Sequence, residues 1–186
     1  MRALVFLVPG FEEIEATTII DVLRRCDIDV TVAGQSDLLV EGGHGMKIAA
    51  DQLIMEVDVS DFDAVICPGG GLGTENLRKN QRVLDIVKSA FESNKLVAAI
   101  CAAPAVLSDA GLLKGKRCTI YPGMESELEK GEGIPIEDIV VVDGNIITSR
   151  GPATALRFAL QIAEKLMGKQ VAEEAGNRML VPIAIK

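Results

Sequence analysis

The chain has 186 residues, 48% of them hydrophobic and 25% charged, and a formal net charge of −8; this suits one soluble domain, 1–186, with a core large enough to stand alone. The negative charge is spread along the chain with no Lys/Arg cluster, which disfavours nucleic acid as a partner. No stretch approaches transmembrane length and the apolar start Met1–Val8 is too short for a signal-peptide core, so a cytoplasmic protein that does not engage membranes is expected.

Strand and helix patterns alternate from end to end. Ala3–Val8 reads as a buried strand, and Glu12–Arg25 as a helix with Ile14, Ile19, Val22 and Leu23 on its apolar side. Asp29–Ala33 is a second strand. Leu38–Ala49 holds two short extended pieces turning at Gly42-Gly43, an edge ribbon. Ala64–Cys67 is a continuous apolar strand that ends in Pro68-Gly69-Gly70-Gly71. Gln81–Ser93 is an amphipathic helix with Val83, Ile86, Val87 and Phe91 on one face. Leu96–Ile100 is the next strand, and the helix Ala103–Ala110 leaves it. Val140–Val142 and Ile146–Ser149 flank the hairpin turn Asp143-Gly144-Asn145. Pro152–Met167 reads as the last long helix, with Pro152 at its first position and Gly168 just past its end. With no Trp, one Tyr and five Phe, the core must be aliphatic, as in a sheet buried on both faces. Repeated βα units with short connections predict an α/β, flavodoxin-like, doubly wound and mostly parallel sheet with helices on both faces.

Four cysteines, Cys26, Cys67, Cys101 and Cys118, form no CxxC pair, which argues against disulfides and a cysteine metal site. With His44 as the single histidine, a His-rich zinc site is excluded. No metal is expected.

In an open parallel sheet, ligands bind at the carboxyl ends of the strands, and three segments bring unusual residues there. In Val97-Ala98-Ala99-Ile100-Cys101-Ala102-Ala103-Pro104 an apolar strand breaks at a cysteine and a helix starts within two or three residues. Ala99 and Ala103 take the small positions of a nucleophile elbow. A helix N-terminus behind Cys101 would stabilise a thiolate and lower its pKa. The competing reading is a cysteine that is merely a small buried hydrophobe, and that reading holds for Cys26, Cys67 and Cys118. The second segment, Pro68-Gly69-Gly70-Gly71-Leu72-Gly73, fits neither G-x-G-x-x-G nor a P-loop. Its glycines suit backbone N–H groups aimed at a developing negative charge, an oxyanion hole. The third is Gly10-Phe11-Glu12-Glu13-Ile14-Glu15. Macrodipole and capping chemistry account for Glu12 and Glu13, whereas Phe11 and Ile14 turn the Glu15 side inward. A carboxyl buried beside a thiolate would have a raised pKa and could carry a proton near neutrality.

Gly-x-Glu-Glu-x-Glu, Pro-Gly-Gly-x-Leu-Gly, Ala-Ala-Ile-Cys-Ala and Thr148-Ser149-Arg150-Gly151-Pro152, in this order and spacing, resemble the DJ-one/ThiJ/PfpI superfamily and its DJ-one-like branch, from Arg2 to about Val181. The resemblance implies a homodimer with Cys101 as a reactive, oxidation-prone thiol, Glu15 as its carboxyl partner, and an oxyanion site from the N–H groups of Gly70 and Ala102, with Gly69 beside them. It implies a glutathione-independent glyoxalase that converts methylglyoxal or glyoxal to the α-hydroxy acid without a cofactor, with deglycation of glycated groups as an associated activity. The alternative it carries is a redox-sensing or chaperone-like stress protein. Two departures bear on this. Where many members have a histidine shortly after the elbow, this chain has Tyr121-Pro122. Where the protease-like branch has a histidine directly after the nucleophile, it has Ala102. Both weaken a cysteine peptidase. His44 lies roughly where relatives place a basic residue across the dimer interface, and is read first as a surface or interface histidine. Arg150, with Tyr121 and His44, is a secondary site candidate and is read first as structural.

Overall fold

A computed structural model describes residues 1–181. Its strands and helices run in the order β1 (Arg2–Leu7), α1 (Glu13–Arg25), β2 (Asp29–Gly34), β3 (Leu39–Glu41), β4 (Lys47–Ala49), β5 (Gln52–Leu53), β6 (Ala64–Cys67), α2 (Gly71–Lys79), α3 (Gln81–Glu92), β7 (Leu96–Ile100), α4 (Pro104–Asp109), β8 (Arg117–Cys118), α5 (Glu125–Lys130), β9 (Ile134–Pro135), β10 (Val140–Asp143), β11 (Ile146–Ser149), α6 (Ala155–Met167) and α7 (Lys169–Arg178).

Seven strands form the central sheet in the order β10-β11-β7-β6-β1-β2-β5. All neighbours are parallel except β10, which pairs antiparallel with β11 through the Asp143–Ile146 turn. The middle strands β6 and β7 are buried at every residue, as required of strands covered on both faces. Alternate side chains feed two separate cores. One holds Val5, Leu7, Ile66 and Ile100 with α1 and α6; the other holds Leu4, Phe6, Val65 and Val97 with α3 and α4. The result is the expected α/β three-layer arrangement, mostly parallel with helices on both faces. Among the described residues no helix is long and apolar enough to cross a membrane.

Several elements depart from the sequence reading. The pieces flanking Gly42-Gly43 pair with each other as a separate two-stranded ribbon, not as an edge of the central sheet. The glycine run is only partly a loop, because α2 begins at Gly71 and carries Gly73 inside it. Pro152 opens a 3₁₀ turn before α6 rather than the helix itself. Ile14 lies on the exposed side of α1 at 56% exposure, while Phe11 turns inward as expected. Helices α5 and α7 carry no strong apolar period; α7 packs through Ala172, Ala175 and Gly176, residues too small to mark a face.

Candidate active site

After β1, the chain adds β2 on one side and then returns to lay β6 on the other. The carboxyl ends of β1, β6 and β7 therefore meet at a switch point, the place where open α/β sheets bind ligands. Cys101 stands there, one residue beyond β7, with a φ of 63°. This left-handed conformation strains a non-glycine residue by about 1–2 kcal/mol, so the surroundings must impose it. They do so from both sides. The Cys101 N–H donates to the Ser149 carbonyl of β11 at 3.0 Å, and its own carbonyl accepts the Tyr121 N–H at 2.8 Å. Ala99 and Ala103, both fully buried, leave the room the turn needs. The elbow read from the sequence is present.

Glu15, in the first turn of α1, is completely buried. Its Oε2 accepts the Gly69 N–H at 2.8 Å, and its Oε1 is buried without a hydrogen bond. A Cβ on Gly69 would lie 2.6 Å from the Cys101 Cβ and 2.7 Å from Glu15 Oε2, so a side chain there would separate the two groups. Burial is the largest influence on Glu15. The Gly69 N–H opposes it and the Glu12 charge adds to it, leaving the carboxyl raised to about 7.

The Cys101 thiol is also raised, to about 12, first by burial and then by the charge of Glu15 and its hydrogen-bonding interaction; the N–H groups of Gly70 and Ala102 pull it down. This corrects the expectation of a thiol lowered by a helix N-terminus. Helix α4 has only six residues, and its field is outweighed by desolvation and a neighbouring carboxylate. Once Glu15 has ionised, at about 7, the pair holds one proton between them. With the proton on sulfur, Glu15 is charged and holds the thiol up. With the proton on Glu15, that repulsion is gone, and the thiolate faces a carboxylic acid and two N–H groups.

Other candidates are placed as follows. Gly70 and Ala102 direct their N–H groups at the Cys101 sulfur. Gly70 has a φ of 99°, and a Cβ there would fall 2.4 Å from the Gly10 carbonyl oxygen, so the loop needs glycine twice over. Gly69 is not a third oxyanion donor, because its N–H is bound to Glu15. Arg150 is outside the site: its guanidinium donates to the Glu137 carbonyl at 2.8 Å and lines a separate depression with Glu125 and Leu128. Tyr121 and His44 both line the Cys101 cavity of their own chain, a space of about 670 Å³ shared with Phe11, Glu12, Glu41, Leu72 and Pro152. A groove of about 730 Å³ between β10, α6 and α7 is lined by neither cysteine nor histidine.

The sequence reading missed Glu13. Glu12 does serve as the cap of α1, accepting the Glu15 N–H at 2.7 Å. Glu13, also buried, instead reaches the ribbon turn, where Oε1 accepts the His44 backbone N–H at 2.6 Å and Oε2 lies 2.8 Å from the His44 Nδ1. Burial would raise the Glu13 carboxyl, but its hydrogen bonds with His44 prevail and lower it, while Glu13 in turn raises His44. Glu12, Glu13 and His44 bring possible ligand atoms within 4.8 Å of one another, but both Glu13 oxygens are already committed to His44. No signal within the first helix pointed to a partner 31 residues away.

The fold and site define an α/β protein with a nucleophile-elbow cysteine backed by a buried carboxyl. The DJ-1/PfpI family model matches residues 1–165. The chain is 43% identical to Protein dj-1beta of Drosophila melanogaster over 185 residues, covering 96% of each. It is 39% identical to the Parkinson disease protein 7 homolog of Danio rerio over 176 residues, covering 93% of each. Among solved structures it superposes on Drosophila melanogaster DJ-1beta with a TM-score of 0.91, covering 96% of this chain and 97% of that one. It matches the oxidized Toxoplasma gondii DJ-1 with the same TM-score at 36% identity, with the same coverage. The chain belongs to the DJ-1/PfpI family.

Proposed function

We propose that the protein is a cysteine-dependent, glutathione-independent glyoxalase converting an α-oxoaldehyde to its α-hydroxy acid. The observation that carries this reading is the Cys101–Glu15 pair: a cysteine lining the cavity, with a fully buried carboxyl, raised to about 7, held against it across Gly69. The thiol passes its proton to Glu15 as sulfur attacks the aldehyde carbon, and the Gly70 and Ala102 N–H groups stabilise the alkoxide formed. Protonation of that oxygen gives the hemithioacetal and leaves Glu15 ionised. Glu15 then takes the proton from the former aldehyde carbon, giving an enediolate, and returns it to the adjacent carbon while the hydroxyl proton on the first carbon passes to the oxygen of the second. The sulfur is now a thioester, which water hydrolyses to lactate or glycolate and free Cys101. The sequence of steps uses no metal or organic cofactor, and deglycation of early glycated groups would draw on the same residues. We place it in the cytoplasm as a homodimer, as the family resemblance implies.

A redox-sensing or chaperone-like role is the second reading, favoured by the same carboxyl beside an oxidisable thiol and by the oxidized form of the Toxoplasma relative. Lactate production from methylglyoxal without glutathione, comparing wild type with Cys101→Ser, decides between them. Cysteine-dependent lactate supports the enzyme. Lactate no higher than the variant's background leaves redox sensing as the function.

A further inference from the structure

The cavity above Cys101 is far larger than a three-carbon aldehyde needs; at about 670 Å³ it lies in the range that holds drug-sized ligands. Its rim carries polar groups that the chemistry at Cys101 does not use. The His44 ring is fixed at Nδ1 by the buried Glu13 carboxylate, which leaves Nε2 as the free ring nitrogen. The turn bearing it is held in place by the Gly43 N–H on the Phe11 carbonyl at 2.8 Å and the Gly10 N–H on the Glu41 carbonyl at 2.9 Å. Gly42 packs directly on Glu13, and a Cβ there would fall 2.4 Å from Glu13 Oε1. Beside His44, the carboxylates of Glu12 and Glu41 line the same cavity, with Glu41 also 3.4 Å from Lys47. A rim with an oriented imidazole and two carboxylates matches an uncharged ligand rich in hydroxyls. Hydroxyls donate both to carboxylates and to the Nε2 lone pair of an imidazole whose Nδ1–H is held by Glu13, whereas an anionic ligand would be repelled.

We propose that the Glu13–His44 pair is the recognition arm of this cavity, selecting α-oxoaldehydes that carry hydroxyls beyond the two reacting carbons over methylglyoxal. Glu13 is the positioning residue, and His44 Nε2 is the group that meets the ligand. The proposal rests on the glyoxalase reading for its substrate class, but its test does not depend on turnover. The rate at which iodoacetamide alkylates Cys101, followed by peptide mass mapping, is measured against increasing glucosone or methylglyoxal. Wild type is half-protected at a lower concentration of glucosone than of methylglyoxal. His44→Asn keeps a donor for Glu13 but loses Nε2, and raises the half-protecting glucosone concentration about fivefold, the effect of one lost hydrogen bond. Glu13→Gln gives a smaller rise in the same direction. The ratio of the two half-protecting concentrations, glucosone against methylglyoxal, moves toward one in both variants. A glucosone curve identical in wild type and His44→Asn overturns the inference. Absence of lactate from methylglyoxal overturns the glyoxalase reading alone, because protection is read without it.

Discussion

Glu15→Gln tests the site through stability rather than activity. The carboxyl ionises near 4.5 when exposed and at about 7 in the folded protein. Because its folded value is raised, the native state binds the proton more tightly than the unfolded chain does. Its contribution is fully present below pH 4.5 and is lost as pH rises through 7. At about 1.4 kcal/mol for each pH unit, that interval corresponds to a loss on the order of 3 kcal/mol. Glutamine keeps an acceptor for the Gly69 N–H but cannot ionise. Urea denaturation of wild type and Glu15→Gln at intervals from pH 4 to 8 therefore gives curves that diverge. The variant's advantage over wild type grows by about 3 kcal/mol between pH 4.5 and 7 and then levels off. The Cys101 thiol, raised to about 12, stays protonated in both states over this range and does not contribute. A difference between the two proteins that stays constant with pH would show that Glu15 is not held neutral by burial, and the proton-carrier role would go with it.

Native labelling with iodoacetamide modifies Cys101 first, because Cys26, Cys67 and Cys118 are completely buried; their reaction follows only on unfolding, as peptide mapping over time will show. Gly69→Ala forces a methyl against Cys101 and Glu15 and lowers stability by about 1–3 kcal/mol, with a matching loss of Cys101-dependent activity in the lactate assay. Phe158→Ala, at a fully buried position between α6 and the sheet, costs about 3–5 kcal/mol in denaturant unfolding and leaves the cysteine's labelling preference intact.

The central strands were legible because they are buried on both faces and so read as unbroken apolar runs: Ala64–Cys67 and Leu96–Ile100 appear where the structure has them. The Asp143-Gly144-Asn145 hairpin was legible because turn chemistry is local, and Gly144 does adopt a φ of 65°. The Cys101 elbow was legible for the same reason, since small residues two positions either side of a cysteine after a strand can be read from neighbours alone. Helix α7 was not legible, since alanines and a glycine bury its face. The ribbon about Gly42-Gly43 was legible as two paired strands, but not its separation from the central sheet.

The sequence by itself determined the alternating βα order, the mostly parallel sheet and the position of the cysteine elbow. Those properties follow from hydrophobic period, turn residues and short spacings, all of which act over a few residues. Only the tertiary structure decided the protonation of the site and the make-up of its rim. Desolvation and a neighbouring charge outweigh the six-residue helix behind Cys101, so the thiol is raised where a helix N-terminus alone would lower it. Glu13 and His44 meet across 31 residues, and Arg150, two residues past an inward-facing Thr148, points away to the Glu137 carbonyl. Burial and through-space charge depend on what the folded chain packs around a group, and that is not written in the residues beside it.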